Sequence, residues 1–288
     1  MKKFSLLFLA VILAAALAAC DDSKDKAGAK ENTKVKIGVN GSDGAQWPIL
    51  KEKAAKEGID IELVEFEDYT LPNNALAQGD IDLNAFQTLV FLAQYNKESG
   101  NDIVPIGSTQ FAPLGLYSKK IKELSDVKKG DQIAVPDDPT NQARALKLLE
   151  AAKLIKLDTD FGLFDGPDKI AENPLNLKIT PMVAQQTPRS LEDVAAAVIN
   201  NGIAGQAGFE PAKDPIFKES AKDDASIPYV NLIAAREEDK NNKVYKRIVE
   251  LYQEDDVKKA ITEDTKGGSI LQVVPQDKLD QEFQKLVK

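Results

Sequence analysis

From Lys34 the chain switches between two hydrophobic periods, and that alternation restricts its fold more than any other feature. Val35, Ile37 and Val39 take every second position, Gly41-Ser42-Asp43-Gly44 breaks the run, Pro48 to Glu57 is helical, and Ile59, Ile61 and Leu63 return to period two up to Phe66. A strand, a crossover helix and a second strand form a βαβ unit, so the fold class is α/β, with sheets flanked by helices. Leu71 to Gln78 then reads as a helix closed by Gly79 as C-cap, followed by a short strand around Ile81 and Leu83. Phe86 to Lys97 is predicted as a helix and Ile103 to Ile106 as a strand. Gln110 to Ser118 is extended but interrupted by Pro113 and Gly115, which marks it as a crossing between domains.

A second strand-turn-helix unit begins at Asp131. The apolar run Gln132 to Val135 stops at Pro136, and Asp138 is placed as N-cap with Pro139 at the first helical position. Ala145, Leu148, Leu149 and Ala152 share one helix face, and Arg144 sits beside it. An arginine near the start of a helix that follows a strand's carboxyl end lies where open α/β sheets bind ligands, with free N–H groups nearby. That position suits a carboxylate ligand; the alternative is an arginine paired with a Glu or Asp of the protein itself. Further along, Leu177 to Thr180 is a strand, Ser190 caps a helix over Leu191 to Val194, and Ala195 to Ile199 is a buried strand ended by Asn200-Asn201-Gly202. Tyr229 to Ala235 is the next strong strand, and Val244, Tyr245, Ile248, Val249 and Tyr252 give a helix expected to pack back on the first domain.

The N-terminus is of another kind. Lys2 and Lys3 precede an apolar run from Phe4 to Leu17, which is shorter than the roughly 20 residues of a membrane span, and small residues lead to Cys20. Residues 1–19 are therefore expected to be a signal peptide, and Leu17-Ala18-Ala19-Cys20 resembles a bacterial lipobox, which implies lipidation of Cys20. The polar stretch from Cys20 to Thr33 reads as a disordered tether with a root-mean-square reach of about 20 Å. The folded body is thus expected close to the outer face of a cell membrane, held by lipid alone.

Composition removes most chemistry. The sequence has 288 residues, a net charge of −9, no histidine and one cysteine. Nucleic acid is a poor partner for such a chain, since phosphate binding needs basic patches. Ser-His-Asp and Cys-His nucleophiles, histidine metal sites, thiolate zinc and disulfides within the chain are all excluded. Neither a catalytic residue, a metal site nor a cofactor is expected. The adjacent acids Asp137 and Asp138 leave an enzyme as the remaining alternative, although acids on such a turn more simply cap a helix.

Several motifs in one order carry a resemblance. They are the lipobox, Asp68-Tyr69-Thr70-Leu71-Pro72-Asn73, Gly79-Asp80-Ile81-Asp82-Leu83-Asn84-Ala85-Phe86-Gln87, Tyr117-Ser118-Lys119-Lys120-Ile121, Val135-Pro136-Asp137-Asp138-Pro139-Thr140-Asn141, Pro188-Arg189-Ser190-Leu191 and Pro228-Tyr229-Val230-Asn231-Leu232. From about Lys34 to Gly268 the chain resembles the NlpA family, the methionine-binding lipoproteins of the MetQ type. The resemblance implies a type II periplasmic-binding-protein-like fold of two α/β lobes, with 34–116 as lobe 1, 117–228 as lobe 2 and 229–288 returning to lobe 1. It also implies a monomeric receptor that holds one free amino acid, L-methionine first, between the lobes and delivers it to an ABC permease. Carried over by position, Arg144 becomes the clamp on the ligand carboxylate, Asn200 and Asn231 bond its amino and carboxylate groups, and Tyr69 and Phe86 wall the side-chain pocket.

Two positions depart from the family pattern. Thr88 stands where a histidine usually follows Phe-Gln, and Ala112 stands where many members carry an aromatic before the crossing proline. Both are expected at the side-chain end of the pocket, so another small amino-acid-like ligand is the alternative to methionine. A surface lipoprotein with no transport role is a further one.

Overall fold

The computed structural model describes residues 32–220 and 224–288. Cys20, the signal peptide and the tether up to residue 31 lie outside them. Thr33, assigned above to the tether, already belongs to the first strand and pairs with Ile59.

Strand β1 (Thr33–Val39), helix α1 (Gln46–Lys56) and strand β2 (Ile59–Glu65) form the βαβ unit, with β1 and β2 parallel. Helix α2 (Leu71–Gln78) ends at Gly79 with φ of 81°, the left-handed conformation that the C-cap position requires. Strand β3 (Leu83–Asn84) leads to helix α3 (Leu89–Ser99), which begins later than its apolar pattern suggested. Thr88 is the reason: its Oγ1 accepts from Phe91 N at 3.3 Å, so Phe86 and Gln87 are left in the preceding loop. Strand β4 (Ile103–Phe111) is nine residues long, well beyond the predicted Ile106, and β5 (Gly115–Tyr117) follows across Pro113.

Strand β6 (Gln132–Pro136) and helix α4 (Pro139–Ala151) form the second strand-turn-helix unit, with Asp138 as N-cap accepting from Asn141 N at 2.9 Å. The hairpin of β7 (Lys156–Leu157) and β8 (Ile170–Glu172) precedes β9 (Lys178–Met182). Helix α5 (Thr187–Ser190) corrects the expectation for 191–194: Pro188 fits the first turn of a helix, and Ser190 closes it instead of capping a new one. Strand β10 (Ala196–Ile199), helix α6 (Asn201–Gln206) and strand β11 (Phe217–Lys218) complete this part. Strand β12 (Val230–Arg236), helices α7 (Lys243–Tyr252) and α8 (Asp255–Asp264), strand β13 (Ile270–Leu271) and helix α9 (Gln276–Leu286) end the chain.

These strands make two main sheets, which are the cores of two lobes. One runs in the order β13-β4-β12-β3-β1-β2 and the other in the order β11-β5-β10-β6-β9. The chain therefore changes sheet between Phe111 and Gly115 and returns between Lys218 and Val230. The C-terminal helices belong to the first sheet: Tyr245, Ile248, Tyr252, Val257 and Ile261 share a core with Val35, Ile37 and Leu50. Helix α9 covers the other face, where Leu279 and Phe283 pack with Leu76, Leu89 and Leu232. At Gly107 a Cβ would lie 2.2 Å from Val249 Cγ1, so the missing side chain is what lets α7 sit directly on β4.

Candidate functional site

Parallel strands of both sheets end at the same cleft, as ligand sites in open α/β sheets do. From the first lobe come Asn40 and Gly41 after β1, Trp47 at the start of α1, Tyr69 before α2, the loop Ala85 to Thr88 after β3, Phe91 of α3 and Asn231 of β12. From the second lobe come Asn141 and Arg144 of α4, Asn200 after β10, and Asn201 and Gly202 of α6. They enclose about 150 Å³. That is below the roughly 300–1,000 Å³ of sites for drug-sized molecules, and it suits one small ligand. A larger groove of about 640 Å³ lies between β4, α7 and α9, away from every residue named in the motifs, and no such set of strand ends converges on it.

All six residues expected to bind ligand, Tyr69, Phe86, Thr88, Arg144, Asn200 and Asn231, line this one cavity. Ala112 lines it as well. Trp47, Phe91, Asn141 and Gln87 line it without having been anticipated. Phe91 falls within the helix expected over 86–97, and Trp47 just before the one expected from Pro48.

The cleft has an aromatic end. Tyr69, Phe86 and Phe91 form a closed set of rings, with centroids 6.0 Å apart for Tyr69–Phe86, 6.1 Å for Tyr69–Phe91 and 5.9 Å for Phe86–Phe91. Tyr69 also packs, with Met182, on the second lobe's cluster of Leu191, Val194 and Ile199. Thr88 spends its hydroxyl on the cap of α3, and its backbone bridges to Asn231. A threonine here therefore orders the junction of α3 and β12 and offers no imidazole to the ligand.

Behind this wall lies a buried amide network. Asn73 Nδ2 donates to Gln87 Oε1 at 2.7 Å, Gln87 Nε2 donates to Asn73 Oδ1 at 2.6 Å and to Asn84 Oδ1 at 2.9 Å, and Asn84 Nδ2 donates to Asn73 Oδ1 at 2.9 Å. Buried amides must be paired, and here they pair with one another, tying α2, β3 and the Phe86 loop together.

The polar end is built around Arg144, which is only 3% exposed. Its Nε donates to Glu219 Oε1 at 2.8 Å and its Nη2 to Glu219 Oε2 at 2.6 Å, with a third bond from Nη2 to Ala112 O at 3.1 Å. The guanidinium also stacks near Tyr229, 4.7 Å from the ring centroid, and Phe111, at 5.5 Å. Burial beside this pair pushes the Tyr229 hydroxyl up to about 12. Both alternatives posed for Arg144 thus meet in one side chain: it lines the cleft and it is paired with an acid of the protein. Among the described residues Nη1 makes no hydrogen bond, so this nitrogen is open to a further acceptor. Arg144 lies beside the apolar face of α4 formed by Ala145, Leu148 and Leu149, and it is buried against Phe111, Ala112, Glu219 and Tyr229 of the crossing segments.

Asn200 and Asn231 are committed on one side each. Asn200 Nδ2 donates to Asn141 Oδ1 at 2.8 Å, and its own Oδ1 is buried without a partner. Asn231 Nδ2 donates to Gln110 O at 3.2 Å. Of the two acids behind the enzyme alternative, Asp138 is occupied: it accepts from Thr140 Oγ1, Asn141 N and Asn141 Nδ2 at 2.9–3.0 Å, as a helix cap does.

Hydrogen bonds cross the cleft as well. Asn201 Nδ2 donates to Gly268 O at 2.8 Å and Gln206 Nε2 to Asn40 O at 3.5 Å, while Lys266 pairs with Glu210.

With this geometry in view, the chain can be set beside known proteins. The D-methionine-binding lipoprotein MetQ of Salmonella typhimurium is 45% identical over 265 residues, 91% of this chain and 94% of that protein. The crystal structure of protein PG110 from Staphylococcus aureus is 49% identical, with a TM-score of 0.85 over 88% of this chain and 99% of that one. A nutrient binding protein from Burkholderia cenocepacia, solved bound to methionine, is 42% identical, with a TM-score of 0.78 over 82% of this chain and 99% of its own. The fold is that of the periplasmic-binding-protein-like substrate-binding proteins. The model of the NlpA lipoproteins matches residues 35–273, and the chain belongs to that family.

Proposed function

We propose that this protein is a substrate-binding lipoprotein that captures a free α-amino acid, methionine first, in the interlobe cleft and hands it to an ABC permease. The observation that carries this is the pairing of opposite ends in one small cavity. A guanidinium N–H and an orphaned amide oxygen stand at one end, and a closed set of aromatic rings stands at the other. A zwitterion with an unbranched thioether side chain fits that division, because sulfur packs favourably at ring edges. The methionine held by the Burkholderia relative supports the same ligand.

Arg144 Nη1 would meet the ligand carboxylate, Asn200 and Asn231 its polar backbone end, and Tyr69, Phe86 and Phe91 its side chain. Thr88 acts by ordering this wall. The expected bounds of 34–116, 117–228 and 229–288 are better drawn where the chain changes sheet: we place the first lobe at 33–111, the second at 115–218 and the return at 230–288. Attachment through lipid on Cys20 rests on Leu17-Ala18-Ala19-Cys20 and on relatives named as lipoproteins, one of them the outer membrane lipoprotein 3 of Mannheimia haemolytica. It would hold a monomeric, non-enzymatic body at the outer face of a membrane. Mass spectrometry of small molecules released when the purified protein is denatured tests the ligand. Methionine in amounts approaching one per chain is expected, and a different amino acid would overturn the side-chain assignment while keeping the zwitterion site.

A further inference from the structure

The polarity of the Asn200 amide is set from a distance. An ionised carboxylate can only accept hydrogen bonds, so the Asn141 amide next to Asp138 must turn its NH₂ toward it. It does so: Asn141 Nδ2 lies 3.0 Å from both Asp138 oxygens. That leaves Asn141 Oδ1 facing Asn200, which must answer with its own NH₂, at 2.8 Å. With Nδ2 turned to Asn141, Asn200 Oδ1 lies on the opposite side of the amide, and in this residue of the cavity lining it is buried without a partner. An isolated asparagine could show either end to the cleft, since its two orientations differ only in which end bonds to what. Here the order carboxylate, amide, amide admits one orientation.

We propose that Asp138 and Asn141 are positioning residues that hold Asn200 with its oxygen toward the ligand, so that the cleft accepts a hydrogen bond from an α-ammonium group and rejects an α-substituent that can only accept. This rests on the amino-acid receptor assigned above and adds to it the residues that make the site selective for an amine. Asn141 is 8% exposed, and the Asp138 carboxyl is held by Thr140 and by the Asn141 backbone as well, so the first link is rigid.

The test compares L-methionine with its α-keto acid, which keeps the carboxylate and side chain but offers only an acceptor at the α-position. Calorimetric titrations are run on wild type, Asp138→Asn and Asn141→Ala. Asparagine caps a helix as well as aspartate does, but its amide can donate as well as accept, so it no longer dictates the chain. Asn141→Ala removes the middle link and keeps the backbone N–H that bonds the cap. In both variants methionine affinity should fall at least tenfold while keto-acid affinity stays level or rises, a divergence that loss of folding does not produce. Because the two substitutions break different links, either one that folds decides the matter. If wild type binds methionine and the folded variants keep its preference within twofold, the positioning role is overturned and the receptor stands. If wild type binds neither compound, the receptor assignment fails and the positioning role with it.

Discussion

Arg144 and Glu219 meet edge to edge, Nε to Oε1 at 2.8 Å and Nη2 to Oε2 at 2.6 Å. Glu219 is itself fixed, because its Oε2 accepts from Leu114 N at 2.8 Å. The pair therefore ties α4 to the segment where the chain leaves the first sheet and to the one by which it returns. Their side chains are 4% and 16% exposed, so the bond is made in a poorly solvated place. Such pairs add little net stability when intact, but losing one partner strands the other charge.

Arg144→Ala should therefore do two things. Ligand-free stability should fall by about 3 kcal/mol, as for breaking a buried pair. Methionine affinity should fall by about two decades, because the carboxylate loses its charged partner in a closed cleft. Adding Glu219→Gln removes the stranded charge, so the double variant should regain much of the stability and none of the affinity. Denaturant unfolding and titration of the three proteins check this. Affinity that recovers together with stability would make Arg144 purely structural.

Methionine binding should weaken on acidification. Burial pushes the Asp138 carboxyl up from its ordinary range, and Asp137 beside it adds to the shift, while the Asn141 and Thr140 donors pull the other way. Tyr69 is the other titratable group that feels this charge, and its hydroxyl is raised by burial beyond any working pH. Once protonated, Asp138 no longer compels the orientation of Asn141, so affinity should drop as pH falls through the raised Asp138 value. Its effect on folding has the opposite sign: a carboxyl raised in the folded state favours folding below its unfolded pKa and loses that contribution as pH rises through the folded value. Titrations between pH 7 and pH 4 should show the decline in wild type and a flatter profile in Asp138→Asn. Equal slopes for both proteins would contradict it.

The network of Asn73, Asn84 and Gln87 should behave as one unit. Asn73→Ala strands amide groups of both other residues in a fully buried place, at about 1–3 kcal/mol for each unsatisfied group. Urea unfolding should show a loss of at least about 2 kcal/mol, and because Gln87 lines the cavity beside Phe86, methionine affinity should fall too. Stability within about 0.5 kcal/mol of wild type would mean that the network is dispensable.

The α/β alternation was readable because period two and the helical period are printed directly on Val35 to Leu63, and turn chemistry placed Asp138, Pro139 and Gly79 correctly. Short helices were less so. The 187–190 turn and the start of α3 are decided by single residues, Pro188 through its fixed φ and Thr88 through its cap bond, and these outweigh a few residues of apolar pattern. Arg144 was found from its place on a helix that follows a strand end, the other site residues from the resemblance, and all line one cavity, yet their wiring did not show. Glu219 lies 75 positions from Arg144 and Asn200 lies 59 from Asn141, in segments whose own sequence says nothing of the pairing. Trp47 and Phe91 carried no signal beyond that of ordinary core aromatics.

The most direct measurement is calorimetric titration of the folded body, residues 33–288, unfolded and refolded to strip bound ligand, with L-methionine and then with the other common amino acids and D-methionine. A single site per chain with a preference for methionine of at least tenfold over leucine and isoleucine is expected, since their branching crowds the Tyr69–Phe86–Phe91 end. No heat and no shift in melting temperature with any amino acid, from protein that melts cooperatively, would contradict the account.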